Sequence, residues 1–203
     1  MPGPRTMMRP AQTVRSLRTF WSDVRGVVAV EFGFIAPVLM VLLLGSADLA
    51  RAIAANRKFE LVTSMVSDLV AREEKLTGDD VRKIYDIARL AMSPYGTTDL
   101  KVAIIPVASN PTDANKTAVY AATTNRPSFP AAGGELAKCQ AYPLSAGLIA
   151  ANESVIVVES SYEFADLFLL PKMTFEAKSI TRPRKSACVD FDGIGKPCGT
   201  CFS

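Results

Sequence analysis

The chain has 203 residues, of which 49% are hydrophobic, so it is long enough for one modest domain with accessory segments and too apolar for a disordered protein. Its formal net charge of +3 comes from the N-terminal segment, because residues 1–26 carry five arginines and one acid. The remainder has no basic excess, which argues against nucleic-acid binding. Histidine is absent, which excludes sites that use imidazole as a base or metal ligand.

The N-terminal part of the chain predicts a basic leader followed by a membrane helix. Residues 1–26 have little periodicity, and we interpret them as a cytoplasmic leader. Residues 27–47 are apolar except for Glu31 and Ser46, and a helix rising about 1.5 Å per residue over this length crosses a hydrocarbon core of about 30 Å. Pro37 predicts a kink or a local loss of helical hydrogen bonds within this transmembrane segment.

The helical pattern continues beyond the apolar run. No Gly or Pro occurs between Ser46 and Thr77, so we predict one continuous helix from about Val27 to Lys75. Its part in residues 48–76 is an amphipathic extension outside the lipid, because apolar residues there alternate with charged ones. The apolar positions of this extension are Leu49, Ile53, Val62, Met65, Val66, Leu69 and Val70.

Residues 77–183 are predicted to form an exported α+β domain. Thr77 and Asp80 have the spacing of a capping box, which predicts the start of a second, short helix. Ser93-Pro94 ends that helix. Its predicted apolar stripe consists of Val81, Ile84, Tyr85, Ala88 and Met92.

Four β segments follow the second helix and predict a small, mostly antiparallel sheet. The last segment alternates between apolar and polar residues, which is typical of a sheet with one covered face. Pro106 and Pro111 indicate that the first segment is an edge strand or ends early. Residues 125–147 are rich in Pro, Gly and Ala and are predicted to be a loop. The predicted strands are Leu100–Val107, Thr117–Thr124, Ser154–Phe164 and Met173–Thr181.

All four cysteines lie in the C-terminal third, and two of the four follow one another closely in the Cys/Gly/Pro-rich tail of residues 184–203. Their even number favours structural disulfides in a domain outside the cytoplasm, with three pairings open. The spacing of Cys198-Gly-Thr-Cys201 leaves a redox pair or a four-cysteine zinc site as alternatives. We predict neither a metal nor a cofactor. The candidate disulfide residues are Cys139, Cys188, Cys198 and Cys201.

Glu31 is an ionisable residue only four positions inside the apolar run. Its carboxylate either extends to the headgroups or is paired with a cation, because an unpaired charge in the bilayer is costly. Cleavage after Gly26 would create an α-amino group on Val27. Pairing of Glu31 with this amine on a neighbouring subunit would neutralise both charges and fix the axial stagger between helices.

The segment Arg25-Gly-Val-Val-Ala-Val-Glu-Phe32 resembles the processing site of type IV prepilins, and in particular that of the TadE-like minor pseudopilins of the tight-adherence (Flp) pilus. Weaker matches in the C-terminal part are Val155–Val158, Tyr162, Phe168–Pro171 and Ile180–Pro183. The resemblance implies a pilin-like fold, cleavage between Gly26 and Val27 by a membrane prepilin peptidase, and a role for Glu31 in export or assembly. The tail from Arg184 onwards has no counterpart in this resemblance.

The leading prediction is a structural and assembly role rather than an enzymatic one. The protein would be anchored in the inner membrane as a single-pass protein, with a cytoplasmic N-terminus and an exported C-terminal domain. The basic residues on both sides of the apolar run give a modest orientation bias, and the cysteines favour export of the C-terminal part. Predicted partners are the membrane, the prepilin peptidase, other pilins and the pilus assembly platform.

Two alternatives remain open from the sequence. Ala50-Arg-Ala52 fits a signal peptidase site, which would release a soluble periplasmic binding domain beginning at Ile53. The chain could also keep an uncleaved signal anchor and serve as an envelope protein. The mature N-terminus distinguishes the three possibilities.

Overall fold

A computed structural model of the chain describes residues 24–124, 137–165, 167–193 and 200–202. The chain divides into two compact units, residues 1–47 and 48–203. Helix α1 is Val24–Ala71, and it continues through Pro37. The prediction of one long N-terminal helix is therefore confirmed. The helix ends at Ala71 rather than Lys75, because Lys75 already belongs to a short strand.

The second unit contains a second helix and a small sheet after the end of α1. The predicted fold class, α+β with a long N-terminal helix, a second short helix and a mostly antiparallel sheet, is confirmed. The elements are β1 (Lys75–Leu76), α2 (Gly78–Met92), β2 (Lys101–Ser109), β3 (Thr117–Val119), β4 (Thr123–Thr124), β5 (Ser154–Phe164), β6 (Met173–Thr181) and β7 (Asp190–Phe191), with a final 3-10 turn at Thr200–Phe202.

Helix α2 begins at the predicted capping box. The amide of Asp80 donates to Thr77 Oγ1 at 3.4 Å, and the amide of Thr77 donates to Asp80 Oδ2 at 3.2 Å. Each side chain thus satisfies an amide that has no partner within the helix. The buried residues of α2 are the five predicted from its periodicity: Val81, Ile84, Tyr85, Ala88 and Met92.

The main sheet is antiparallel, with strand order β3-β2-β5-β6, and β4 pairs with β2 as well. Strands β5 and β6 have the predicted ends. The segment predicted as one strand from Thr117 to Thr124 forms two short strands, β3 and β4, interrupted at residues 120–122. A separate two-stranded parallel sheet joins β1 to β7.

The prediction that Pro106 marks an edge strand or an early end is wrong, because β2 runs through Pro106 to Ser109 and lies between other strands. The carbonyl of Pro106 accepts from the amide of Tyr120 at 3.2 Å, at the interruption between β3 and β4. The nitrogen of a β residue points to the same side as its own carbonyl. The nitrogen of Pro106, which cannot donate a hydrogen bond, therefore faces the gap between β3 and β4, where no strand requires a donor.

Both faces of the central strands are covered, which corrects the prediction of a sheet with one covered face. In β2, Val102 and Ile104 belong to the hydrophobic core that contains α1 and α2. The intervening Ala103 and Ile105 belong to a second core, which is completed by Tyr142, Leu144 and Ile149. The predicted alternation holds for the edge strand β6, whose residues are in turn half-buried and exposed.

Helix α1 packs on the sheet through one side of its second half. The buried residues of this side are spaced three or four apart, as expected for a helix with one covered face. Leu49 and Ile53, which are among the predicted apolar positions of the extension, are exposed. Two small residues, Ala52 and Ala55, take the buried positions next to them. The buried positions are Ala52, Ala55, Phe59, Val62, Val66 and Val70.

Two pairs of hydroxyl groups connect the same side of α1 to the sheet. Thr63 Oγ1 is hydrogen-bonded to Ser160 Oγ of β5. Ser67 Oγ donates to Thr181 Oγ1 of β6 at 2.7 Å. Thr63 and Ser67 are buried, so these bonds satisfy polar groups that would otherwise be costly to remove from water.

Part of the predicted C-terminal tail packs against the end of α1. The amide of Arg184 donates to the carbonyl of Ala71 at 2.9 Å, and the Arg184 guanidinium lies 2.6 Å from the carboxylate of Asp68. Further on, β7 pairs with β1 in register Lys75 to Asp190. The segment after β6 therefore binds a carbonyl that the helix itself leaves without a partner.

Replacing Thr77 by Ala is expected to lower the free energy of unfolding of the domain by about 1 kcal/mol, because the side-chain acceptor of the α2 N-cap is lost. The measurement is urea denaturation of the detergent-solubilised protein. Ser64→Ala is the matched control, since among the described residues the Ser64 hydroxyl bonds only to the carbonyl of Glu60 within the same helix. Equal stability of Thr77→Ala and Ser64→Ala would contradict the importance of the cap.

Candidate functional site

The predicted cleavage position lies in the first turns of α1. Helix α1 begins at Val24, so Gly26 and Val27 both have helical backbone in this structure. A Cβ on Gly26 would meet no atom within 4 Å, and the side chain of Val27 is exposed. A protease that binds its substrate extended must therefore unwind this turn. The low helix propensity of Gly lowers the cost of unwinding at this position.

Glu31 is exposed on α1, among apolar side chains that are exposed as well. Within the described ranges 24–124, 137–165, 167–193 and 200–202, no cationic group forms an ion pair with it. Thus the described part of a single chain does not provide the partner that the sequence led us to expect for this carboxylate.

Helix α1 is the one helix in the described part of the chain that is long and apolar enough to cross a membrane. None of its most apolar stretch is buried within the protein. A core helix of a water-soluble domain with the same composition would be covered on at least one side. The exposed apolar surface of residues 27–44 therefore suits a lipid environment.

Asp48 is the first residue of the second unit, and it forms a contact that the sequence analysis missed. It is 0% exposed. Its Oδ2 accepts hydrogen bonds from the backbone N–H groups of Phe168 at 2.9 Å, Leu169 at 2.7 Å and Leu170 at 3.4 Å. Three consecutive amides thus bind one carboxylate oxygen, and they fix the tip of the connection between β5 and β6 to the helix.

The pKa of Asp48 reflects these contacts. The amide of Leu169, followed by those of Phe168 and Leu170, holds the pKa of Asp48 below its ordinary value of 3.8, although burial of the carboxyl acts in the opposite direction. The positive charge of Arg51, one helical turn away, adds to the lowering. The folded domain therefore stabilises the ionised form of the Asp48 carboxyl over the protonated form.

The signal for this contact was present in the sequence in two separate places. Asp48 directly follows the apolar run, and residues 168–171 read Phe-Leu-Leu-Pro, which the sequence analysis noted only as a weak match. A charged residue at the end of an apolar helix is usually solvated, so its burial could not be read locally. The two places are more than one hundred residues apart, and only the fold brings them together.

The structure contains a disulfide between Cys139 and Cys201, with Cα atoms 5.0 Å apart. Cys188 is also disulfide-bonded, and Cys198 lies outside the described residues. Cys201 is therefore paired with a distant residue rather than with Cys198, which speaks against the redox-pair interpretation. The bond ties the 3-10 turn at Thr200–Phe202 to the segment beside β3, where the amide of Cys139 donates to the carbonyl of Val119 at 2.7 Å.

The acidic residues of the tail have a structural role. Asp192 lies 3.0 Å from Lys75, and the hydrogen bond between them raises the pKa of Lys75. Asp190 stands opposite Lys75 in the β1–β7 pair. In the described part of the chain, no group of three Cys, Asp or Glu side chains is placed to hold a metal ion.

These observations define a class: proteins in which one exposed, apolar N-terminal helix continues into an α+β domain that is closed by a disulfide. The model of the TadE-like protein family matches residues 26–67, which confirms the resemblance drawn from the sequence. The matched range includes Gly26, Glu31 and Asp48. The match associates the chain with the tight-adherence pilus. No curated protein and no solved structure matches the chain.

The contact at Asp48 predicts a pH dependence of stability. Because the pKa of Asp48 is lowered on folding, its contribution is complete above its unfolded pKa and is lost as the pH falls through its folded pKa. Between about pH 5 and about pH 3, the wild-type domain should lose more stability than Asp48→Asn, which has no charge to titrate there. The measurement is urea denaturation at a series of pH values.

Asp48→Asn should also be less stable than the wild type at neutral pH, because a neutral amide oxygen binds the three N–H groups less strongly. Asp79→Asn is a matched control, since Asp79 is an exposed acid whose ion pair in the described part of the chain is with Arg82 of its own helix. Parallel pH curves for the wild type and Asp48→Asn would contradict the importance of the buried carboxylate.

Proposed function

We propose that this protein is a minor pseudopilin or assembly protein of a tight-adherence pilus. It would be processed by a prepilin peptidase after Gly26 and held in the inner membrane by residues 27–47 before it enters or primes the filament. The observation that carries the proposal is the helix α1, whose exposed apolar part leads directly into the core of the domain. The family match covers this same stretch.

The proposed topology places the leader of residues 1–26 in the cytoplasm and the domain of residues 77–183 outside the inner membrane, together with the tail of residues 184–203. The disulfide between Cys139 and Cys201 supports it, since such bonds persist in oxidising compartments. Proposed partners are the peptidase, other pilins and the assembly platform, and the role is structural rather than enzymatic.

Glu31 has a specific part in this proposal. An ionised carboxylate near the centre of a bilayer costs about 3 kcal/mol on insertion scales, and less near its edge. Pairing of Glu31 with the new α-amino group of Val27 on a neighbouring subunit removes this cost and sets the stagger between helices. The exposure of Glu31 leaves its carboxylate accessible to such a neighbour.

The packing of α1 speaks against release of a soluble domain by signal peptidase. Cleavage between Ala52 and Ile53 would remove Asp48, whose carboxylate binds three amides of the β5–β6 connection. It would also remove the buried Ala52 from the core. The released domain would begin within its own packed helix and would leave those three amides without an acceptor.

Gly26→Val is expected to block processing, because a β-branched side chain hinders extended binding in a protease cleft. N-terminal sequencing or intact mass of the protein from its native envelope should show a start at Val27 for the wild type and an intact leader for the variant. Gly33→Val is the matched control, since both glycines lie on the same helix and neither has an atom within 4 Å of an added Cβ. A wild-type start at Ile53, or at the first residue, would overturn the proposal.

Glu31→Ala is expected to leave the protein inserted and cleaved but to impair pilus assembly, because only the pairing between subunits is lost. Membrane fractionation, mature mass and electron microscopy of the cells measure the three properties. Glu73→Ala, which removes an exposed carboxylate beyond the end of α1, should have normal pili. Normal pili in Glu31→Ala would contradict the pairing role while leaving membrane anchoring intact.

A further inference from the structure

The connection between β5 and β6 exposes two large apolar side chains at its tip. Phe168 is 74% exposed and Leu169 is 49% exposed. They are adjacent, and they lie on a segment whose backbone is fixed by the hydrogen bonds to Asp48. Single exposed apolar residues are common on protein surfaces, whereas contiguous exposed apolar surface marks a candidate contact site.

The contact of this tip with Asp48 indicates its depth relative to a membrane. Asp48 is the residue that follows the apolar run of residues 27–47. If that run crosses the hydrocarbon core, Asp48 falls in the headgroup layer, which extends about 5–7 Å beyond the core on each side. Hydrogen bonds of 2.9 Å and 2.7 Å hold the amides of Phe168 and Leu169 against the Asp48 carboxylate. The tip is therefore held at the same depth.

The residues of α1 next to Asp48 have the chemistry of a membrane boundary. Leu49 and Ile53 are exposed and apolar, and they follow the apolar run closely in the sequence. The Arg51 guanidinium lies over the Phe168 ring, 5.3 Å from its centroid. In such a pair the guanidinium can bind a lipid phosphate, while the aromatic ring contacts the upper part of the acyl chains.

We infer that the tip formed by Phe168 and Leu169 inserts into the headgroup layer of the membrane, with Arg51 facing lipid phosphate. The occupant of this apolar surface is thus the lipid bilayer, which the charge of Arg51 and the continuity with the apolar run of α1 both favour. The inference rests on the proposed function in one respect, namely that residues 27–47 span a membrane. It adds a second membrane contact, made by the domain itself.

Two attachments would restrict the motion of the domain more than one flexible helix does. The domain would lie against the bilayer until assembly extracts α1, and extraction would have to withdraw Phe168 and Leu169 together with the helix. The buried carboxylate of Asp48 ties the tip to the part of α1 that begins at Asp48.

The test uses single tryptophan reporters in the full chain, in a Trp21→Phe background that removes the one native tryptophan. The purified protein is reconstituted in vesicles of phosphatidylethanolamine and phosphatidylglycerol that contain lipids brominated near the headgroup or deep in the acyl chains. Phe168→Trp is the test variant, with Leu169→Trp as a second reporter. Leu39→Trp, within the apolar run, is the reporter for the membrane span. Leu90→Trp is the matched exposed control on α2, because Leu90 is 76% exposed.

The expected result is strong loss of Phe168→Trp emission with shallow bromines, strong loss of Leu39→Trp emission with deep bromines, and unchanged emission of Leu90→Trp. Emission of Phe168→Trp and Leu169→Trp as insensitive as that of Leu90→Trp, with Leu39→Trp still quenched, would overturn the inference and leave the membrane anchor intact. Unquenched Leu39→Trp would overturn the proposed membrane span itself, and this inference with it.

Discussion

The change of environment at Asp48 is the constraint on which the rest of the structure depends. Before this residue α1 exposes apolar side chains all round, and after it one side of the helix is buried on the sheet. A single uninterrupted helix satisfies both requirements, because its backbone hydrogen bonds are internal whether its side chains are exposed or packed on the sheet. At the boundary, a buried carboxylate binds three amides and thereby joins the helix to the β5–β6 connection.

Features with a local pattern could be predicted from the sequence. The capping box of α2 was visible because Thr77 and Asp80 are three residues apart, and the long strand β5 combined length with β-branched residues. Features that depend on distant residues could not. Strands β1 and β7 have two residues each, and they pair across more than one hundred residues of chain, so neither carries a pattern of its own.

The predictions that were wrong came from local sequence rules that the tertiary structure overrides. Pro106 was taken to mark an edge, but the sheet places its missing donor at the interruption between β3 and β4. Leu49 and Ile53 were counted with the apolar positions of the extension on hydrophobicity alone, but both are exposed, and the buried positions beside them are Ala52 and Ala55. The motif at Gly26 and Glu31 was recognised because it is short and contiguous. The cysteine pairing could not be predicted, because four cysteines allow three connectivities.

The contacts of the C-terminal segment determine which part of the domain is completed last during synthesis. The amide of Arg184 binds the carbonyl of Ala71, and β7 pairs with β1 directly after the end of α1. Synthesis delivers the chain from its N-terminus, so the end of α1 is made long before the residues that bind it. The carbonyl of Ala71 and the strand β1 therefore gain their partners only when nearly the whole chain has been made.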